Sequence, residues 1–106
     1  MVKKETPAER LNEFTQFHGV NVLNLIIERH KLSEEKRTCF SVRFVEQDPV
    51  KEKEYTEMMD KLGQKIYKVD EKLYEAGIEP KERTQILRDI KKVYPAGEWL
   101  SGFSQG

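Results

Sequence analysis

Apolar residues recur at alternating four- and three-residue steps between residues 55 and 76. The positions are Tyr55, Met59, Leu62, Ile66, Val69, Leu73 and Ala76. This spacing puts them on one stripe of an α-helix and is typical of a coiled-coil seam. Because such a stripe is stable only when it is covered, the pattern predicts a long amphipathic helix that packs against another helix.

Three prolines mark the starts of predicted helices, since proline is favoured in the first turn, where its missing N–H leaves no bond unmade. They are Pro7 after Thr6, Pro49 after Asp48 and Pro80 after Glu79. The corresponding helix ends are Gly19, Gly77 and Pro95. The last of these helices has an apolar face formed by Ile86, Leu87, Ile90, Val93 and Tyr94.

Between the first helix and the long helix, the pattern changes to one that is typical of strands. Residues 38–45 alternate, with Phe40, Val42 and Phe44 on one side, and residues 20–28 are rich in β-branched side chains. Because a single strand needs a hydrogen-bonding neighbour, we predict a β-hairpin whose strands 20–28 and 38–45 are joined by a polar loop. The alternative is an all-α chain in which residues 20–28 continue the first helix and strand 38–45 pairs across a dimer.

These elements predict a single α+β domain over residues 1–106 that is mainly helical. Their order is N-terminal helix, β-hairpin, long amphipathic helix and shorter C-terminal helix. We expect residues 1–5 to fray, because they precede the first helix start, and residues 95–106 to form a C-terminal aromatic tail. A chain of 106 residues builds one modest core.

Composition limits the classes of partner. Hydrophobic residues make up 37% of the chain and charged residues 36%, so the core is thin and an oligomeric interface would add burial. The 19 basic and 19 acidic residues cancel, which removes a general attraction to nucleic acid or anionic lipid. Cys39 is the single cysteine, and no apolar run is long enough for a membrane helix. We expect a cytoplasmic protein with no membrane association.

The stripe on the long helix is the main candidate for self-association. Its members are Tyr55, Met59, Leu62, Ile66, Val69 and Leu73. The repeat covers only about three heptads, which is short for a free-standing coiled coil, and Met58, Tyr67 and Tyr74 widen it, as in a globular bundle. Packing inside one chain and packing against a second copy are therefore equal alternatives.

The tail carries a second candidate surface, because Trp99, Leu100 and Phe103 lie beyond the last helix. An apolar tail either folds back onto the core or docks into a partner, and buried aromatic residues dominate the energy of protein interfaces. Folding back is the favoured interpretation, and partner binding by these three residues is the alternative.

A third candidate is a nucleic-acid-binding strand at residues 36–44, where basic and aromatic side chains interleave. The residues concerned are Arg37, Phe40, Arg43 and Phe44. Aromatic residues on a sheet stack on unpaired bases when arginines flank them. Phe40 and Phe44 share a face with Val42, however, which is typical of a strand facing a core. Nucleic-acid binding is therefore a less favoured alternative, and steep weakening by added salt would identify it.

No residue pattern predicts catalysis or metal binding. The possible ligands are His18, Glu28, His30 and Cys39, and their spacing matches no zinc motif. A thiol within a strand is expected to be buried and inert. We therefore predict no enzyme, no catalytic residues, no metal and no cofactor.

The resulting hypothesis is a small non-enzymatic protein–protein interaction or regulatory protein, acting as an adaptor or inhibitor. It would form a homo-oligomer, a dimer, through the helix at residues 55–76 and would contact another protein through a remaining surface. Besides nucleic-acid binding, a second alternative is a small-molecule binder whose site forms at an oligomer interface.

Overall fold

The computed structural model describes residues 5–103, and within that range the chain is helical. The elements are α1 (Pro7–His18), α2 (Val20–Val45), α3 (Pro49–Glu75), α4 (Pro80–Val93) and a short 3₁₀ turn (Glu98–Ser101). Helices α2 and α3 form a long antiparallel hairpin that contains the most extensive contacts in the fold. Helices α1 and α4 pack together against α2, as does the 3₁₀ turn, and the molecule measures 60 × 31 × 28 Å.

The predicted β-hairpin is wrong, because both of its strands lie in the single 26-residue helix α2. In residues 20–28 the buried side chains Leu23, Ile26 and Ile27 follow helical spacing, so the β-branched run is one face of a helix. Residues 28–37 are dominated by Glu, Lys, Arg and Leu, which favour helix, and they carry α2 through the predicted loop. The α+β fold class is therefore corrected to all-α.

The alternation in residues 38–45 does not mark a strand either. Phe40 and Phe44 are four residues apart on one side of α2 and are largely exposed. Residues 5–103 contain no strand, so the alternative with a strand paired across a dimer is wrong as well. Two-residue periodicity over eight positions does not outweigh strong helix formers on its N-terminal side.

Two of the three predicted helix starts and one helix end are confirmed by their capping hydrogen bonds, and Pro80 begins α4 without a side-chain cap. The hydroxyl of Thr6 accepts from the N–H of Glu9 at 3.2 Å, and the carboxylate of Asp48 accepts from the N–H of Val50 at 3.0 Å. Gly77 follows the C-terminal end of α3 with a positive φ of 81°. The N–H of Ile78 donates to the carbonyl of Leu73 at 3.0 Å. This is the Schellman arrangement, in which glycine relieves the strain of the left-handed conformation.

The apolar stripe of α3 is covered within the chain by α2. Leu62, Val69 and Leu73 are buried, and Met59 and Ile66 are partly buried against the same core. Across this interface, Arg29 of α2 donates to the carboxylate of Asp70 on α3 at 2.6 Å. The interpretation of the stripe as intramolecular core therefore describes the fold, and any self-association of α3 must use another part of its surface.

A buried ion pair joins α1 to α4. Asp89 is fully buried and accepts from the Nε of Arg10 at 3.0 Å, from its Nη2 at 2.9 Å and from the amide of Gln85 at 3.1 Å. Burial on its own raises the pKa of Asp89, but the hydrogen bonds from Arg10 and Gln85 outweigh it and hold the pKa below its ordinary value. The ionised carboxylate therefore stabilises the folded state.

We predict that Asp89 makes the fold sensitive to acid. Because its pKa is lower in the folded state, its stabilisation is present above about pH 4, where the unfolded group titrates, and is lost as the pH falls through the folded pKa. Asp89→Asn should lower the free energy of unfolding at pH 7 by about 1–3 kcal/mol. It should also flatten the acid dependence measured by urea titration. The exposed Asp60→Asn is the control, and equal acid profiles for the two variants would contradict this role.

Candidate interaction surface on the long hairpin

The distal half of the hairpin, residues 34–65, is much less covered than the rest of α2 and α3. Its buried residues are Cys39 and Leu62. Of the ten large hydrophobic residues that are exposed within residues 5–103, six lie in this half, and these are Phe40, Val42, Phe44, Val45, Val50 and Met58. Such a concentration of exposed apolar side chains is typical of a surface that binds another molecule.

Two polar side chains of α2 lie against α3 in this half. The Nζ of Lys36 lies 3.4 Å from the position that a Cβ at Gly63 would occupy. Arg43 approaches Glu52 at 3.8 Å, and its Nε is buried without a hydrogen-bond partner. The contact between the two helices here therefore includes charged side chains, and apolar side chains remain exposed beside it.

One face of the distal half carries a shallow apolar groove of ≈ 560 Å³, which we call the α2/α3 groove. Its lining residues are Glu34, Glu35, Thr38 and Cys39 of α2 and Met58, Lys61, Leu62 and Lys65 of α3. The buried Cys39 and Leu62 form its apolar base, and Met58 is half-exposed beside them. Acidic residues line the α2 rim, and lysines line the α3 rim.

The opposite face of the hairpin is different in character. A depression of ≈ 720 Å³ there is lined mostly by polar side chains, and its residues are Lys36, Met59, Asp60, Gly63, Gln64, Tyr67 and Lys68. Docking an apolar partner on this surface would cost free energy, because its charged and amide groups would lose their hydration without gaining hydrogen bonds. The apolar docking candidate is therefore the α2/α3 groove.

The four residues of the predicted nucleic-acid surface lie on a helix. Phe40 and Phe44 are exposed along one side of α2, whereas Arg37 lies 3.7 Å from Glu34 and Arg43 approaches Glu52. The strand on which base stacking was predicted does not form, and both arginines lie beside acids of the same chain. Nothing in this geometry favours a phosphate-binding track over an apolar surface.

The predicted partner-binding residues of the tail fold back onto the chain. Trp99 is buried with its ring 5.6 Å from that of His30, and Phe103 packs 5.4 Å from Tyr94. The side-chain amide of Asn24 holds the backbone of Phe103 with two hydrogen bonds of 2.8 Å. Leu100 remains 42% exposed, so it alone of the three retains substantial free surface. Residues 104–106 of the predicted tail lie outside the described residues, as do residues 1–4 of the predicted frayed terminus.

The possible metal ligands noted in the sequence are dispersed. His18 lies 3.8 Å from Glu82, His30 lies against Trp99, and Cys39 lies in the α2/α3 groove. Between residues 5 and 103, no three His, Cys, Asp or Glu side chains come together as a metal site would require. Burial lowers the pKa of His30, and the positive charge of Lys91 lowers it further by a smaller amount. A lowered pKa suits a neutral imidazole ring packed against the indole of Trp99. In the same part of the chain, no helix has the length and apolar character needed to cross a membrane.

Sequence reasoning missed the rim residues of the α2/α3 groove. Glu34 and Glu35 fall in the predicted loop, and the predicted surfaces include neither Lys61 nor Lys65. The spacing of Lys61 and Lys65, four residues apart, was the available signal. It becomes informative only once residues 30–37 are recognised as helix, because the acids then face the lysines across the hairpin.

Comparison with protein-family models, with curated proteins and with solved structures gave no match. The function of the chain must therefore be inferred from the groove and its surroundings.

Proposed function

We propose that this chain is a non-enzymatic protein–protein interaction protein that self-associates through the exposed edge of α3. The observation that carries the proposal is the apolar α2/α3 groove, which lies in the half of the hairpin where exposed hydrophobic residues concentrate. Covering such a surface removes apolar area from water, and this is the main favourable term in protein association.

Self-association through α3 uses a different edge from its apolar stripe. Leu73 and Val69 are occupied by α2, but Met58 and the exposed rim beside Leu62 face the groove. Phe40 and Phe44 lie on α2 away from this groove lining and stay available for another protein. This arrangement suits an adaptor or regulator, which needs one surface for its own copies and another for a partner.

The proposal is tested by measuring the mass of the protein in solution and of two matched variants. Met58→Glu places a charge in the apolar groove at a half-exposed position that the monomer tolerates. We expect the native chain to sediment at twice 12.5 kDa and Met58→Glu to dissociate at least about tenfold more readily.

Phe44→Glu is the control, because it adds the same charge to the same half of the hairpin outside the groove lining. It should retain the native mass. A native chain that stays at 12.5 kDa up to submillimolar concentration would contradict self-association. Equal dissociation of the two variants would remove the groove from its mechanism.

A further inference from the structure

The charges on the two rims of the α2/α3 groove suggest how a second copy sits in it. We propose that two chains pair face to face about a two-fold axis parallel to the long axis of the hairpin, so that α2 of each copy lies over α3 of the other. Glu34 and Glu35 of one copy then face Lys65 and Lys61 of the second. This inference rests on the proposed self-association and specifies its geometry.

The four rim residues are exposed and are arranged in two opposite lines. Glu34 and Glu35 lie on the α2 rim, and Lys61 and Lys65 lie on the α3 rim of the same groove. Among residues 5–103, the one ion pair that these four side chains form is that of Glu34 with Arg37, at 3.7 Å between exposed side chains. Exposed pairs at this distance contribute little, so these charges stay available to a partner.

The height of each rim residue, meaning its position along the long axis of the hairpin, follows from contacts between the two helices. Arg29 pairs with Asp70, and Lys36 lies against Gly63. Because the helices are antiparallel, these two contacts place Glu34 level with Lys65, with Lys61 about one turn nearer the tip. Opposite charges therefore face each other across the groove at nearly the same height.

Two symmetric ways exist to lay this face on its own copy, since a two-fold interface uses the same patch on both chains. An axis parallel to the hairpin puts α2 over the second copy's α3 and preserves height. The acidic rim of each copy then faces the lysine rim of the other, which gives two equivalent sets of ion pairs. An axis across the hairpin puts α2 over α2 and α3 over α3, so acids approach acids and lysines approach lysines. Like charges at an interface cost free energy, and the first arrangement is therefore favoured.

The favoured arrangement is also a sound helical assembly. Each α2 lies antiparallel to its own α3 and to the α3 of the second copy, as in an up-and-down four-helix bundle. Met58, Cys39 and Leu62 of both copies then line a shared apolar centre, with the ion pairs at its edges. Both hairpin tips point the same way. Because α1 and α4 pack on α2, the α1/α4 pair of one copy and that of the second copy lie on opposite sides of the four-helix assembly.

Charge reversal tests this geometry. Variant A carries Glu34→Lys and Glu35→Lys, and variant B carries Lys61→Glu and Lys65→Glu. Each variant alone places like charges across the interface and should raise the dimer dissociation constant by about 10- to 100-fold. An equal mixture of A and B should restore association as a heterodimer, and a chain that carries all four changes should form a homodimer again.

The mixture tests whether the rim charges act between chains, because it changes nothing within either chain. The weakening of A and of B alone tests the geometry, because an axis across the hairpin already places acids over acids and lysines over lysines in the native dimer. Glu13→Lys with Glu75→Lys is the control, since these exposed residues lie outside the groove lining and the net charge changes as in variant A. Circular dichroism verifies that every variant is folded, and sedimentation with native mass spectrometry identifies the heterodimer.

The outcomes separate this inference from the proposed function. A native dimer that both charge variants retain, or that the mixture fails to restore, would overturn the geometry and leave self-association standing. A native chain that is monomeric would overturn both. Weakening by variant A, by variant B and not by the control, together with recovery in the mixture, supports α2 over α3.

Discussion

Leu73→Asp is expected to leave the protein largely unfolded at neutral pH. Leu73 is 2% exposed on α3, where it packs against the core that α3 shares with α2. An unpaired carboxylate at such a site loses its hydration and gains no partner, so we expect a loss of at least about 4 kcal/mol in the free energy of unfolding. That is most of the stability of a typical small domain. Far-UV circular dichroism and urea titration measure it.

The neighbouring Tyr74→Asp is the matched control. Tyr74 is 83% exposed one residue further along the same helix, so the same new charge meets water and should change stability by about 0.5 kcal/mol or less. If α3 packed its stripe only on a second copy, Leu73→Asp would instead give a folded monomer. A folded Leu73→Asp protein would therefore contradict the intramolecular packing of α3.

Trp99→Ala is expected to produce the second large effect, a loss of about 3–5 kcal/mol in the free energy of unfolding. Trp99 is 5% exposed and packs on His30, so its removal leaves a cavity between the 3₁₀ turn and α2. Urea titration followed by circular dichroism measures the change, since the variant lacks the tryptophan signal.

Leu100→Ala, at the next residue, is the comparison for Trp99→Ala. Leu100 is 42% exposed, and its truncation should cost clearly less than that of Trp99. A tail that served as a free anchor for a partner would show the reverse pattern, with Trp99→Ala leaving the stability of the isolated chain unchanged. That result would contradict the folded-back tail.

Local hydrogen-bond chemistry explains why several elements were predictable. Pro7, Pro49 and Pro80 are each the first residue of a helix, and Gly77 follows α3 in a left-handed conformation. These signals depend on a few neighbouring residues and on no tertiary contact, so they can be read from the sequence. The spacing of the α3 stripe is equally local, because it follows from the helical period alone.

Residues 20–45 were mispredicted because their local signals conflict. β-Branched residues come first, helix formers occupy residues 28–37, and an alternating run follows. Once 28–37 is helical, extending the helix in both directions adds one hydrogen bond per residue without a new nucleation step. The exposed Phe40 and Phe44 show that the alternating run has no core on its apolar side.

The groove could not be predicted because it is a property of two helices at once. Glu34 and Lys65 are 31 positions apart in the sequence, and only the antiparallel pairing of α2 with α3 brings their rims together. Which partner covers the α3 stripe is likewise a tertiary property, and the periodicity is the same for a second copy as for α2. Sequence could show that α3 must be covered but not by what.

Small-angle X-ray scattering of the native chain over a range of concentrations tests the proposed assembly most directly, because it reports mass and length together. One chain measures 60 Å along its longest axis. We predict a mass of twice 12.5 kDa with a longest dimension that stays close to this value, since two hairpins lie side by side with their tips together. A mass of 12.5 kDa at every concentration, or a doubled mass in a markedly longer particle, would contradict it.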